Sequence, residues 1–379
     1  MKAVRVALNL VFLVPGETGG METYAREVIP RLAEIDGLEL TCLVNREAAS
    51  AGGGPWGEVC PAEVVPVRAH NRIEWIRGEQ WHVPRIASRI GAQIVHSLAS
   101  TAPLHGPQVR VTTIHDLNYL LVPEAHFGLR AQGMKLLVPA AARRSQRIIV
   151  DAASTRDDIC QRIGIARSKI DVVPLAAEVP LSAAAVPEAE LRERLQLGLR
   201  EVALSPGAKR PHKNLAAVLK ALALMPSGSR PLLVVPGYST PYEQELRELA
   251  AALGVSDDLR FVGYLSSEEM EGLYSLSSLV VVPSKYEGFG LPVLEAMVRG
   301  VPVVTSDRSS LPEVAGGAAL LVSPDDPREI ADAISQILDD PAVADRLRSA
   351  GLQRAADFSW EKTAELTAVS YERALGSKA

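Results

Sequence analysis

The stretch 284–300, SKYEGFGLPVLEAMVRG, sets Glu287 in a glycine corner and a second carboxylate, Glu295, eight residues later, with Pro292 between them. The apolar run that precedes it, LVVVPS, has the composition of a buried strand. KYEGFG then turns, and Leu291-Pro292 opens a helix, with proline in the first turn where its missing N–H costs nothing. Ligands of an α/β sheet bind outside the carboxyl ends of the strands. There the backbone N–H groups of Gly288, Phe289 and Gly290, backed by the positive end of the helix, offer a seat for a phosphate. Glycine lets the backbone come close where a side chain would block the approach. The carboxylates then take separate roles. Glu287 sits in the turn, on the ligand side. Glu295 lies about one helical turn in, where it can accept hydrogen bonds from vicinal hydroxyls such as those of a ribose. Two other readings fit the spacing: a carboxylate pair for acid and base work, and a capped helix with solvent-exposed glutamates.

Outward from this corner the chain alternates short apolar strands with helices. VRVALNLVFL, LELTCLV, AQIVHSL, VRVTTIHD and RIIVDA are strand-like in the first half. EVALSPG, PLLVVPG, LRFVGYL, LVVVPS, VPVVTS and AALLVSP repeat the pattern in the second. In METYAREVIPRLAEI, Met21, Tyr24, Ala25, Val28, Ile29 and Leu32 recur at helical spacing. This alternation predicts parallel sheets covered on both faces, an α/β chain. The stretch 175–200, rich in Ala, Pro and charge, separates the two series. The expected organisation is an N-terminal Rossmann-like domain over 1–178, a linker over 179–200, and a second Rossmann-like domain over 201–358. A helix over 359–379, striped by Trp360, Ala364, Ala368, Tyr371 and Leu375, is expected to pack back on the first domain.

With 379 residues the chain suits two domains of ordinary size. Its 47% hydrophobic and 22% charged residues suit a globular protein. Residues 1–180 carry 20 Lys and Arg against 18 Asp and Glu, a net +2, and the remainder 20 against 27, a net −7. Neither half has the basic face that a nucleic-acid backbone requires. Cys42, Cys60 and Cys160 are few and widely spaced, with no metal-ligand pattern and no disulfide framework, which points to a reducing compartment. The apolar start is broken by Arg5 and Asn9 and reads as a buried strand rather than a signal peptide. No uncharged apolar run of about 18 residues predicts a spanning helix.

EGFGLPVLE resembles the E-x7-E motif of the retaining nucleotide-sugar glycosyltransferases of family 4, which have the GT-B fold: two Rossmann-like domains facing each other across a cleft. GVPVVTSDRSSLPEVAGGAALLVSPDD is similar to the strand, loop and helix that follow in that family. The likeness runs over nearly the whole chain. It implies that SPGAKRPHKNL (205–215) neutralises the donor's diphosphate, through cations next to Gly207 at a strand-to-helix turn. Lys213 before Asn214 matches the family. The residue after Gly207 is Ala208, not the family's arginine, so either Arg210 or Lys209 takes its place. GGME, with Gly19 and Gly20, resembles the first-domain glycine loop that lies against the donor's phosphate and the acceptor. In TIHDL, His115 matches the histidine that contacts the transferred sugar. His96, in IVHSL, matches nothing as specific and reads as structural. Gly237, and Gly263 in FVGYL, are expected beside the nucleotide, the latter with backbone groups at the base. Gly288, Phe289, Gly290, Leu291 and Glu295 complete the donor set.

The resemblance implies a retaining hexosyltransferase that moves a sugar from a nucleotide diphosphate, GDP-mannose by preference, to a hydroxyl of a glycan, glycolipid or natural-product acceptor. No D-x-D triplet occurs, so no cofactor and no bridging metal are expected. Glu287, His115, Lys213 and Arg210 are the catalytic candidates. Attack from the same face is favoured, with the leaving phosphate taking the acceptor's proton and Glu287 holding the sugar's hydroxyls near C3 and C4. Other readings are a nucleotide-sugar epimerase or another GT-B enzyme, and a non-catalytic module that binds a sugar nucleotide. The acceptor falls to loops at 68–84 and 118–133, where Trp75, Trp81, His126 and Phe127 could stack on sugars or anchor the loops. Arg143, Arg144 and Arg147 form a basic run suited to an anionic membrane surface or to a solvated helix face. The expected location is cytoplasmic, with peripheral contact at the inner face of the membrane.

Overall fold

A computed structural model describes residues 3–51, 59–122, 129–179 and 184–377. The chain divides into two compact units. One is Met1–Leu120, His126–Leu175 and Ser359–Ala379; the other is Leu121–Ala125 and Ala176–Phe358.

The first unit is built on β1 (Val4–Leu10), β2 (Leu38–Val44), β3 (Ala62–Val64), β4 (Ile94–Ser97), β5 (Val109–Thr113), β6 (Arg147–Val150) and β7 (Ile170–Val172). They pair in the order β3-β2-β1-β4-β5-β6-β7, every pair parallel. The order reverses between β1 and β4, and such a switch point opens a crevice at the strands' carboxyl ends. β3 and β7 fall outside the strand list drawn from the sequence. Each has three residues at an edge of the sheet, β3 half in solvent and β7 with Asp171 in its middle, so neither offers an apolar run.

The second unit repeats the plan with β8 (Val202–Leu204), β9 (Leu232–Val235), β10 (Leu259–Phe261), β11 (Leu279–Val282), β12 (Val303–Ser306) and β13 (Leu320–Val322). Their order is β10-β9-β8-β11-β12-β13, again all parallel. β8, β9, β11 and β12 are buried along their whole length, which is why they read as continuous apolar runs. Here the switch point lies between β8 and β11. Part of the segment expected as a linker is built into this unit. Helix Glu188–Arg194 buries Leu191, and Val186 N–H donates to the Glu268 carbonyl at 3.1 Å. Gly272 makes room for it: a Cβ there would lie 2.6 Å from the Val186 carbonyl oxygen.

The closing helix, Trp360–Gly376, belongs to the first unit. Ser359 caps it by accepting from Lys362 N–H at 3.1 Å. Its buried face is Trp360, Thr363, Ala364, Thr367, Ser370, Tyr371 and Ala374, so Ala368 and Leu375 of the expected stripe lie at its margins. Arg31 pairs with Glu361 at 2.6 Å, and Thr363 Oγ1 donates to the Pro174 carbonyl at 2.6 Å. His96, in β4, is wholly buried, with Nδ1 2.8 Å from the Tyr371 hydroxyl and Nε2 2.8 Å from Thr113 Oγ1. Burial pushes its imidazole down to about 3, helped by the nearby His115.

His96 therefore makes the fold acid-sensitive. As pH falls below its ordinary value near 6.5, the unfolded chain takes a proton that the folded one refuses. Stability is lost at up to about 1.4 kcal/mol per pH unit. His96→Gln should flatten the dependence of unfolding free energy on pH between 6.5 and 4, whatever offset it adds; equal slopes would mean that His96 protonates inside the fold. Among the described residues, no helix is long and apolar enough to cross a membrane.

Candidate functional site

In the second unit the loops after β8 and β11 are tied together across the switch point. Ser205 Oγ donates to the Val281 carbonyl at 2.8 Å, and from the far side Ser306, at the end of β12, holds the loop after β11 by donating to the Ser284 carbonyl at 2.6 Å. Asn214 holds a left-handed turn (φ 60°) and donates to the carbonyls of Pro283 at 3.1 Å and Pro324 at 2.7 Å. This anchors the loop that carries Lys213. Lys213 Nζ lies 2.7 Å from Glu287 Oε1, and the Ser284 hydroxyl donates to the same oxygen at 2.6 Å. Two residues 74 positions apart thus form one ion pair at the ends of adjacent strands. Glu287 is 9% exposed. Burial pushes its carboxyl up, but the Lys213 ammonium and the Ser284 hydroxyl outweigh this and hold it below the usual carboxylate range.

The glycine corner is braced from behind. Glu287 N–H donates to Ser309 Oγ at 2.9 Å, and Ser310 Oγ donates to the carbonyls of Glu287 at 3.1 Å and Phe289 at 2.6 Å. Ser309 adopts φ 51°, a strained conformation for a side chain with a Cβ and one that clusters at functional sites. Gly290 has φ 109°, and a Cβ there would meet Leu311 Cδ2 at 2.7 Å. Its place before helix Leu291–Val298 leaves that N-terminus with no side-chain cap and with Pro292 in the first turn. The Phe289 ring turns inward, edge-on to Phe358 at 5.9 Å, so only its backbone is offered to a ligand.

Glu295 is positioned by a residue that the sequence did not single out. The hydroxyl of Tyr274, from helix Ser267–Leu276, donates to Glu295 Oε2 at 2.8 Å. Arg299 covers the Tyr274 ring at 4.7 Å and pairs with Glu271 through Nε at 2.8 Å. Burial, and the Glu295 charge after it, push the Tyr274 hydroxyl well above its ordinary value. It remains a donor throughout the accessible pH range.

Gly207, Gly237 and Gly263 meet where β8, β9 and β10 end. Gly237 N–H donates to the Gly263 carbonyl at 3.0 Å, and a Cβ on Gly237 would lie 3.2 Å from the Gly207 carbonyl oxygen. The two candidates for the missing arginine separate here. Lys209 is buried, and its ammonium donates to the carbonyls of Gly237 at 2.6 Å and Tyr238 at 3.3 Å, with Glu243 3.4 Å away. Burial lowers its pKa, and Glu243 offsets part of that. Arg210 is exposed, one residue before the turn Pro211–Lys213.

In the first unit, Gly19 (φ 61°) precedes helix Gly20–Ala33 and leaves its N-terminus without a side-chain cap. Glu22 fixes the loop by accepting from Gly16 N–H at 2.8 Å and from Arg26 at 2.6 Å. His115 follows β5 with both ring nitrogens held. Nδ1 lies 2.8 Å from Asp151 Oδ2, and Nε2 donates to the Leu98 carbonyl at 3.0 Å. Burial alone would lower its pKa; Asp151, the Leu98 carbonyl and Asp116 together raise it. The Leu98 carbonyl can only accept and so keeps a proton on Nε2, while burial raises the pKa of Asp151 and His115 offsets part of that. Asp151 Oδ1 is buried without a hydrogen-bond partner among the described residues.

The regions expected as acceptor loops are mostly helical: Arg72–Arg77, the π-helix Gly78–His82 and Val83–Arg89, then Asn118–Leu121 and Leu129–Arg144. Trp75 packs against a core cluster of the first unit, whereas Trp81 stands half-exposed under the Arg85 guanidinium. His126 and Phe127 lie outside the described residues. The basic run is largely committed to the fold: Arg147 Nε donates to Asp171 at 2.8 Å and Arg143 to the Ile163 carbonyl at 3.2 Å.

Residues 18–178 match the family model described as Glycosyltransferase Family 4, and residues 188–354 the one described as Glycosyl transferases group 1. The O-antigen chain mannosyltransferase B of Escherichia coli is 32% identical over 71% of this chain and 71% of its own length. A serotype-specific mannosyltransferase of the same organism is 30% identical over 72% of this chain, which spans 34% of that longer protein. A D-inositol 3-phosphate glycosyltransferase of Streptomyces avermitilis is 27% identical over 99% of this chain and 88% of its own. Among solved structures, a sucrose-phosphate synthase from Thermosynechococcus elongatus superposes with a TM-score of 0.77 at 21% identity, over 99% of this chain and 100% of that one. Anabaena HepE in complex with UDP and glucose gives 0.76 at 19%, over 97% and 99%. At such identities the structural likeness establishes the fold.

Proposed function

The chain belongs to the family 4 glycosyltransferases of GT-B fold, and we propose that it transfers mannose from GDP-mannose to a glycan or glycolipid hydroxyl, with retention and without a metal. The observation that carries this reading is the Lys213–Glu287 pair beside an uncapped helix N-terminus at the β8/β11 switch point. Cleavage of the anomeric C–O bond leaves negative charge on the departing diphosphate, and preorganised cations and N–H groups stabilise that charge. Lys213, Arg210 and the backbone of 288–290 fill this role. Arg210 is preferred to Lys209 because the Lys209 ammonium already serves carbonyls of its own unit. Glu295, oriented by Tyr274, takes the ribose hydroxyls.

With Oε1 engaged by Lys213 and Ser284, Oε2 of Glu287 is the oxygen we assign to the sugar's hydroxyls near C3 and C4. The acceptor attacks the face that the diphosphate leaves, and the leaving phosphate takes its proton. His115 contributes by exchanging the Leu98 carbonyl for a sugar oxygen. The mannosyltransferase relatives support the choice of sugar and of a polysaccharide acceptor.

A thermal-shift panel of GDP, UDP, ADP and dTDP, each with its common sugar conjugates, tests the donor. A ligand that binds only the folded form, at 100 times its Kd, adds about 2.7 kcal/mol. The expected result is a rise with GDP and GDP-mannose that weakens in Glu295→Ala. A rise with UDP alone would replace the donor, and no rise with any nucleotide would remove the reading.

A further inference from the structure

Cys42 and Cys60 are separated by 17 residues in sequence and meet in the fold. Cys42 lies on β2, wholly buried. Cys60 precedes β3 by two residues and keeps a sliver of surface. The parallel pairing of β2 with β3 fixes both backbones: Cys42 stands opposite Ala62, and its N–H donates to the Pro61 carbonyl at 2.8 Å. The sulfurs are 3.1 Å apart. A disulfide needs about 2.05 Å, so closing the bond asks the sulfurs to approach by about 1 Å.

We propose that Cys42 and Cys60 form a redox-active dithiol, which a peroxide converts to a disulfide within the first unit. Cys60 is the attacking thiol, since the Cys42 thiol 3.1 Å away stabilises its thiolate and it has the surface. The hydrogen bond from Cys42 lowers the Cys60 pKa, and the same contact and burial raise that of Cys42. The Cys60 thiolate attacks one oxygen of hydrogen peroxide, which gives a sulfenic acid and releases one water after protonation. The Cys42 sulfur then attacks the sulfenic sulfur and the second water leaves. Two thiols lose two electrons and two protons, and one peroxide is reduced to two waters.

The bond would clip the β3 edge to β2. Three residues beyond Cys42, Asn45 donates to the carbonyls of Val11 at 3.1 Å and Leu13 at 2.7 Å, which hold the start of the loop toward Gly19. The disulfide therefore stiffens the strand on which that loop rests. None of this depends on which sugar the protein handles.

The test treats the full chain with near-stoichiometric hydrogen peroxide, then unfolds it and labels it with iodoacetamide. A closed pair leaves only Cys160 to label, of the three cysteines that are free in this structure. Before labelling, the intact mass should fall by about 2 Da, the two hydrogens lost. A non-reducing peptide map should link Cys42 to Cys60, and dithiothreitol should reverse the link. In Cys42→Ser the link is lost and Cys60 stops at the sulfenic or sulfinic acid. Three labelled cysteines after oxidation, or Cys60 over-oxidised without a link in the unsubstituted protein, would overturn the proposal.

Discussion

Lys213→Ala is expected to lower kcat by about 10²–10³-fold, the loss that follows removal of one preorganised group facing developing negative charge. The substitution acts twice. On the proposed mechanism it withdraws the ammonium from the leaving diphosphate, and it leaves the buried Glu287 carboxylate with only the Ser284 hydroxyl at Oε1. A carboxylate stripped of its cation in that setting rises in pKa and can take a proton. Glu287→Gln separates the two effects, because Lys213 then remains and the side chain keeps its shape. If Lys213 serves the diphosphate directly, Lys213→Ala loses more than Glu287→Gln, and the double variant falls short of the product of the single losses. Steady-state kinetics with GDP-mannose decides it. A drop in kcat/KM that lies wholly in KM would make Lys213 a binding group only. A kcat within about threefold of the parent's would exclude it from the transition state. An unchanged melting temperature is the control that the loop still folds.

The candidate site of the second unit was legible because its signals are local. Gly207, Gly237, Gly263 and Glu287 each follow an apolar strand by a few residues, and Lys213 follows its strand by nine, so strand and turn put them at the strands' ends while the family resemblance supplied their roles. The partners that orient them come from elsewhere in the chain and carry no local signal. Tyr274 lies 21 residues before Glu295, Ser309 22 residues after Glu287, and Asp151 36 residues after His115. Any of these could pass for an ordinary surface or core residue until the sheet order is known. Lys209 shows the opposite case. A lysine beside a glycine turn reads as a free cation, yet its neighbours include two outward carbonyls and Glu243, which together make burial of an ammonium tolerable. The cysteines were hidden in the same way: two parallel neighbouring strands bring together what 17 intervening residues keep apart on paper.

The closing helix was harder to read, and its energetics supply the second large effect. Trp360→Ala should destabilise the first unit by about 3–5 kcal/mol, a large share of the roughly 5–15 kcal/mol that holds a domain. Trp360 is 1% exposed and lies against Tyr24, ring centres 6.5 Å apart, in the helix Gly20–Ala33. Half the face that packs beside it is polar in sequence, which blurs the stripe. Those hydroxyls are buried without penalty because they bond backbone carbonyls: Thr367 to Thr363 at 2.8 Å and Ser370 to Leu366 at 3.1 Å. Loss of the indole opens a cavity that rigid neighbours, among them Tyr24 with its hydroxyl 3.5 Å from Thr113 Oγ1, cannot close. Urea unfolding followed by far-ultraviolet circular dichroism should show the transition of the first unit moving to lower denaturant, with the second unit's transition in place. Leu352→Ala, at a half-exposed position of the second unit, should change stability by less than about 0.5 kcal/mol. A loss under about 1 kcal/mol for Trp360→Ala would mean that the helix only rests on the first unit. A loss of the full size would mean that the first unit's core is complete only once the helix Trp360–Gly376 has been made. Its folding must then wait on contacts that span 330 residues and more, as between Arg31 and Glu361.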